Sequence, residues 1–151
     1  MVKSIPLQVR VKVFLKNQEG KYLLLRRSQI RYPNIKNFWD IPGGRIIPGA
    51  NLLENIEREI FEETNFFLCG EPKLIAAQDI IHEKEKHIVR LTFLGELSIQ
   101  HKQIATGKIF PGNPILNEEH SGFKWLTFDE MLRVKKLDEF TREVIEKYLV
   151  K

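Results

Sequence analysis

The run Leu52 to Thr64, LLENIEREIFEET, constrains the fold more than any other stretch of the chain. Its apolar residues Leu53, Ile56 and Ile60 recur at helical spacing and predict an amphipathic helix. Asn51 is a good N-cap, and Glu54 three residues later completes a capping box. Asn65 suits the left-handed position just past a helix C-terminus. On a wheel of about 100° per residue with Glu59 at zero, Glu63 falls at about 40° and Glu62 at about 300°. On the same wheel Ile56, Ile60 and Leu53 fall at about 60°, 100° and 120°. The three carboxylates therefore share one face and border the apolar stripe. Glu54 and Glu57 point elsewhere, into solvent, and Arg58 has Glu54 and Glu62 four residues to either side.

Carboxylates at these spacings repel one another by a few tenths of a kcal/mol per pair on a solvated helix. The repulsion grows at the edge of a core, where the effective dielectric falls. The plain reading of such a run is a solvated charged face. The loop in front argues for more. Gly43, Gly44, Pro48 and Gly49 permit a tight backbone path into the helix N-terminus, where anions dock. Hard divalent cations with oxygen ligands would neutralise the carboxylates, and magnesium keeps waters that suit a site shared with a phosphate.

Around this helix the chain reads as strands. VRVKVFL (residues 9–15) alternates apolar and basic residues and predicts a half-buried strand. NQEGK is a turn and YLLLRR (22–27) a second strand, giving a hairpin. A polar loop, SQIRYPNIKN, leads to the short apolar FWDIPGG. LIAAQDII (74–81) and HIVRLTFLGEL (87–97) flank a charged turn. A Gly- and Pro-containing loop runs from about 100 to 122, then FKWLTF is a last strand and DEMLRV starts a short helix. Residues 138–150 predict an amphipathic helix with Phe140, Val144, Ile145, Tyr148 and Leu149 toward the core. Strands with a central and a terminal helix imply an α/β fold, a mixed sheet between helices.

The 151 residues fit a single domain with one substantial core. No apolar run reaches the roughly 20 residues that span a bilayer, and the first twenty residues do not read as a signal peptide. Cys69 is the only cysteine, so no internal disulfide forms and a cytoplasmic, reducing location is expected. The net charge of +4 favours anionic ligands. Without a basic cluster on a nucleic-acid fold, nucleic acid is not the expected partner.

Gly44 through Phe66 resembles the Nudix box of the Nudix hydrolases: Gly, five residues, Glu, seven residues, then Arg-Glu-apolar-x-Glu-Glu-x-Gly and an apolar residue. Gly44, Arg58, Glu59, Ile60, Glu62, Glu63 and Phe66 match in register, while Ala50 stands at the first Glu and Asn65 at the last Gly. The hairpin, FWDIPGG and NEEHSGFKWLTFDEM extend the resemblance over most of the chain, from about Val9 to Met131. It implies an α/β/α sandwich around a mixed sheet and one Nudix domain over 1–151. It also implies magnesium- or manganese-dependent hydrolysis of a phosphoanhydride in a nucleoside diphosphate linked to another group, such as a sugar, and it admits a homodimer.

Carried over residue by residue, the resemblance implies metal ligation by Glu59, Glu62, Glu63 and the Gly44 carbonyl, with Arg58 holding the Glu side chains by ion pairing. Glu119 implies a further loop carboxylate, with Glu118 its close rival. Glu59, Glu63 and Glu119 are the candidates for general base, since a carboxylate must accept the proton of the attacking water. Arg26 and Arg27, at the end of the second strand, are candidates for phosphate contacts. Tyr32, Phe38, Trp39 and Phe110 are candidates for stacking on a base, the plainer reading of Trp39 being core packing. His82, His87 and His120 lack zinc-site spacing, and His120 falls near the metal loop. Ala50 removes one negative charge, which predicts weaker metal affinity or a shifted substrate and leaves open a nucleotide-binding module of the same fold. An RNA 5′-pyrophosphohydrolase is the other alternative. A cysteine-dependent isomerase of the same fold ranks low, because Cys69 reads as a loop residue past the helix.

Overall fold

The structure, a computed structural model, describes residues 4–82, 85–98 and 112–150. The readings of Phe110, of the His82 side chain and of the loop over 99–111 fall outside the described residues. Among these, seven strands form one mixed sheet. They are β1 (Leu7–Lys16), β2 (Tyr22–Arg27), β3 (Trp39–Asp40), β4 (Gly43–Arg45), β5 (Leu68–His82), β6 (Lys86–Leu97) and β7 (His120–Leu126). The helices are α1 (Leu52–Thr64), α2 (Phe128–Leu132) and α3 (Glu139–Val144), the last running on as a π-helix over Ile145–Leu149. Among the described residues no helix is long and apolar enough to cross a membrane.

The order is β3-β2-β1-β6-β5, with β4 also on β1 and β7 also on β2. β1 and β6 run parallel from Leu7↔His87 to Lys16↔Glu96. β1 meets β2 at Lys16↔Tyr22, next to the turn. Farther along, β4 takes that edge of β1 over Arg10↔Arg45 to Lys12↔Gly43. The hairpin therefore forks, and the cleft described below opens at the fork.

Val11, Val13 and Leu15 of β1 pack with Ile56, Ile60 and Phe66 on the α1 side. Phe14 packs with Met131, Leu137, Val144 and Ile145 on the other. Both faces of β1 are covered, as parallel pairing at a sheet centre requires. The half-buried expectation for this strand is thus corrected: Lys12 is 5% exposed.

The helix signals act locally as their chemistry dictates. Asn51 Oδ1 accepts the Glu54 N–H at 2.8 Å, and Asn65 sits at φ 65° with its N–H on the Phe61 carbonyl. Leu53, placed on the apolar stripe by periodicity, is 38% exposed, because the buried face is Asn55, Ile56, Ile60, Glu63 and Thr64. Three other expectations change. Cys69 lies in β5, not in a loop, paired with Glu96. The last strand starts at His120, earlier than FKWLTF, because residues 120–122 continue the ladder on Arg26 and Arg27. Tyr148 is 60% exposed, because the wider π-helical turn, marked by Val150 N–H to the Ile145 carbonyl, rotates it off the core. Thr141 is buried in that segment instead.

Candidate active site

A cleft of about 280 Å³ opens at the fork. β1 contributes Arg10 and Lys12, β2 contributes Arg27, β4 contributes Gly43, Gly44 and Arg45, and α1 contributes Glu59, Glu62 and Glu63. The segment entering β7 adds Asn117, Glu119 and His120. The lining mixes acidic and basic side chains.

Glu63 is the most buried acid of the cleft, at 3% exposure. Its Oε1 accepts the Gly43 N–H at 2.7 Å, and its Oε2 lies 3.2 Å from His120 Nε2. Gly43 allows this approach. At φ +135° with the Val11 carbonyl oxygen 1.9 Å from where a Cβ would stand, only glycine fits. Burial pushes the Glu63 carboxyl up to about 8, and nearby Glu59 and Glu119 push the same way. Burial lowers the His120 imidazole to about 4, with repulsion from Lys12 and Arg27 adding to it. Both shifts favour the neutral forms, a carboxyl beside an imidazole whose Nδ1 lies 3.1 Å from Asn117 Oδ1.

Glu59 is half-buried and its carboxyl is raised by burial, against the opposing charge of Arg58. A Cβ on Gly44 would come within 2.8 Å of Glu59 Oε2, so glycine keeps that carboxylate close to the backbone. Arg58 Nη2 lies 3.2 Å from Glu59 Oε1 and donates to the Arg45 carbonyl and to Asn55 Oδ1. The sequence offered Glu54 and Glu62 as its partners; the ion pair formed is with its neighbour Glu59. Glu62 is exposed at the rim.

Glu63, Glu119 and His120 each offer a ligand atom, and these atoms lie within 4.8 Å of one another. Oxygen donors around a buried carboxyl that burial has made reluctant to ionise fit a hard divalent cation, which would favour its ionised form. The neutral imidazole of His120 keeps a lone pair available to such an ion. Glu118, the rival of Glu119, points to the surface and pairs with Arg31 at 3.2 Å.

Among the basic residues of the lining, Lys12 Nζ lies 3.1 Å from Asp40 Oδ2 and donates to the carbonyls of Ile41 and Gly43. Arg10, Arg27 and Arg45 crowd together, and burial and these like charges lower Arg10. The sequence candidates Arg26 and Arg27 part company. Arg27 lines the cleft with its guanidinium over the Tyr32 ring at 5.0 Å. Arg26 lies over Phe38 and donates to Ser121 and Gln29 outside the cleft lining. Trp39 also lies outside it, under Lys124 at 4.8 Å and against the second core. His87 is on the β5–β6 hairpin, paired with Asp79. Lys12, Arg10 and Arg45 were not singled out from sequence. The available signal was the pair of basic residues alternating through a strand that turns out to be central.

Comparison with protein families matches residues 6–148 to the NUDIX domain. A protein of Bacillus subtilis (strain 168), carrying the provisional name 8-oxo-dGTP diphosphatase, is 32% identical over 76 residues, half of this chain and 47% of that protein. The chain thus matches about half the length of this curated relative. Among solved structures, the MutT protein of Methanosarcina mazei Go1 has a TM-score of 0.74 at 24% identity, covering 97% of this chain and 95% of that one. A UDP-X diphosphatase structure has a TM-score of 0.64 at 21% identity, covering 97% and 64%. At these identities the structures establish the fold, a mixed sheet between helices, and the domain match establishes the family. The chain belongs to the Nudix hydrolase family.

Proposed function

We propose that this chain is a divalent-metal-dependent hydrolase of the phosphoanhydride bond in a nucleoside diphosphate linked to another group. One observation carries the reading: the carboxylates of Glu59, Glu63 and Glu119 line a single cleft together with Arg10, Arg27 and Arg45. An acidic lining alone suits a cation and a basic lining alone suits an anion. The two together suit a phosphate-bearing substrate held between metal and guanidinium.

Glu59, Glu62, Glu63 and Glu119, with the Gly44 carbonyl, would hold magnesium or manganese. A bound divalent ion supplies charge neutralisation at the phosphoryl oxygens and an activated water. The chain supplies the rest. Arg27, Arg10 and Arg45 orient the phosphates. Arg58 keeps Glu59 in place. Glu59, Glu63 and Glu119 are the candidates to accept the proton of the attacking water. The names of the relatives point to two substrate classes, an oxidised nucleoside triphosphate and a UDP-linked compound. The proposal spans both as a nucleotide or nucleotide-sugar pyrophosphohydrolase.

The test is a panel of nucleoside triphosphates, nucleotide sugars, ADP-ribose, dinucleoside polyphosphates and 5′-triphosphate RNA, run with magnesium and with EDTA. Magnesium-dependent release of a nucleoside monophosphate from one class is expected. Nucleotides that raise the melting temperature without being cleaved would instead assign a binding module.

A further inference from the structure

Asn55 stands one helical turn before Arg58 on α1 and is fully buried, at 0% exposure. A buried amide is tolerated only when its polar atoms are satisfied, and this one is bonded at both ends. Its Oδ1 accepts from the Ile47 N–H at 2.7 Å and from Arg58 Nη2 at 2.9 Å. Its Nδ2 donates to the carbonyls of Ala50 at 3.1 Å and Asn51 at 2.8 Å. Three of these partners belong to the loop that carries the chain from β4 into α1. The fourth, Arg58, lies 3.2 Å from the Glu59 carboxylate.

Ala50 occupies the box position where the resemblance expects a carboxylate, and its methyl offers a guanidinium nothing. Its carbonyl nevertheless sits one hydrogen bond from Asn55, which sits one hydrogen bond from Arg58. We propose that Asn55 is a positioning residue that takes over from the missing loop carboxylate: it braces the Ile47–Asn51 loop and holds Arg58 against Glu59 from the helix side. The inference rests on the metal-hydrolase reading above.

Manganese binding to the substrate-free protein, followed by electron paramagnetic resonance, separates positioning from mere stability. Residues that orient ligand carboxylates typically change metal affinity by about 10–100-fold when removed. Asn55→Ala is therefore expected to weaken manganese binding at least about tenfold. In an Arg58→Gln background the same substitution should cost less than about twofold, because the route through Arg58 is already cut. Asn55→Asp keeps the acceptor for Arg58 and Ile47 while losing the two donors. It should melt lower yet bind manganese within about threefold of the parent.

Unchanged manganese affinity in Asn55→Ala overturns the inference, as does an undiminished loss in the Arg58→Gln background. Should Asn55→Ala fail to fold, a tenfold loss in Asn55→Asp overturns it alone. A parent protein that binds no manganese overturns the metal-hydrolase reading and this inference together. A parent that binds manganese normally, with Asn55→Ala equal to it, overturns only this inference.

Discussion

Burial shifts Glu63 and His120, 3.2 Å apart, toward their neutral forms. The Glu63 carboxyl lies near 8 in the fold against 4.5 for an unperturbed one, because burial disfavours the charged form. Between those values the folded state holds a proton that the unfolded state has released. Stability from this group is therefore full below about 4.5 and lost as pH rises through about 8. His120 acts with the opposite sign. Its folded value near 4 lies below 6.5, so its contribution grows as pH rises from 4 to 6.5. Above 6.5 only Glu63 remains. In EDTA the melting temperature should fall between pH 6.5 and 8.5, and Glu63→Gln should flatten that fall. A parent curve as flat as that of Glu63→Gln would refute the protonated carboxyl. With magnesium and substrate, Glu62→Gln and Glu63→Gln should each cut turnover at least about a hundredfold. Steady-state rates at saturating magnesium measure this, and full activity in both would remove them from the metal site.

At the scale of elements, the loop from β4 into α1 shows two glycines with different duties. Gly49 has φ +93° and open space around its missing Cβ. Gly49→Ala should cost about 1 kcal/mol of backbone strain in a urea melt and leave turnover alone. Gly43 combines φ +135° with a Cβ position 1.9 Å from the Val11 carbonyl oxygen. Gly43→Ala must push β4 off β1 and break the hydrogen bond to Glu63, so it should cost about 3 kcal/mol or more and lower turnover as well. Equal effects of the two substitutions would contradict this division. The same loop marks what the sequence made legible. Asn51 and Asn65 announce the ends of α1 because caps are local chemistry. The face shared by Glu59, Glu62 and Glu63 follows from helical period alone. By contrast, Glu119 could not be told from Glu118. The distinction depends on His120 pairing opposite Arg27, a contact between segments more than ninety residues apart. Lys12 was hidden for the same reason: a basic residue alternating through a strand reads as solvated until the partners on both faces are known.

The whole molecule is tied together by charges under the cleft. Arg90, 4% exposed on β6, lies 3.1 Å from Asp40 Oδ1 and 3.4 Å from Asp138 Oδ2. Asp40 also meets Lys12 and accepts from the Thr141 hydroxyl. Asp138 caps α3 through the N–H groups of Phe140 and Thr141. Two buried cations thus face two carboxylates across β1, β3, β6 and the terminal helix. Burial alone would raise Asp40, yet Arg90 and Lys12 hold it well below the usual carboxylate range. Such a network need not stabilise more than apolar packing would, but removing one member strands its partner. Arg90→Met should therefore cost about 3–5 kcal/mol in urea unfolding, and Asp40→Asn should be strongly destabilising too. The double variant removes both charges of the central pair, so its cost should fall short of the sum of the singles by at least about 1 kcal/mol. Strict additivity would mean that the two side chains act separately. The floor of the cleft and the anchoring of the terminal helix would then be independent, and the lower half of the molecule would no longer act as one electrostatic unit.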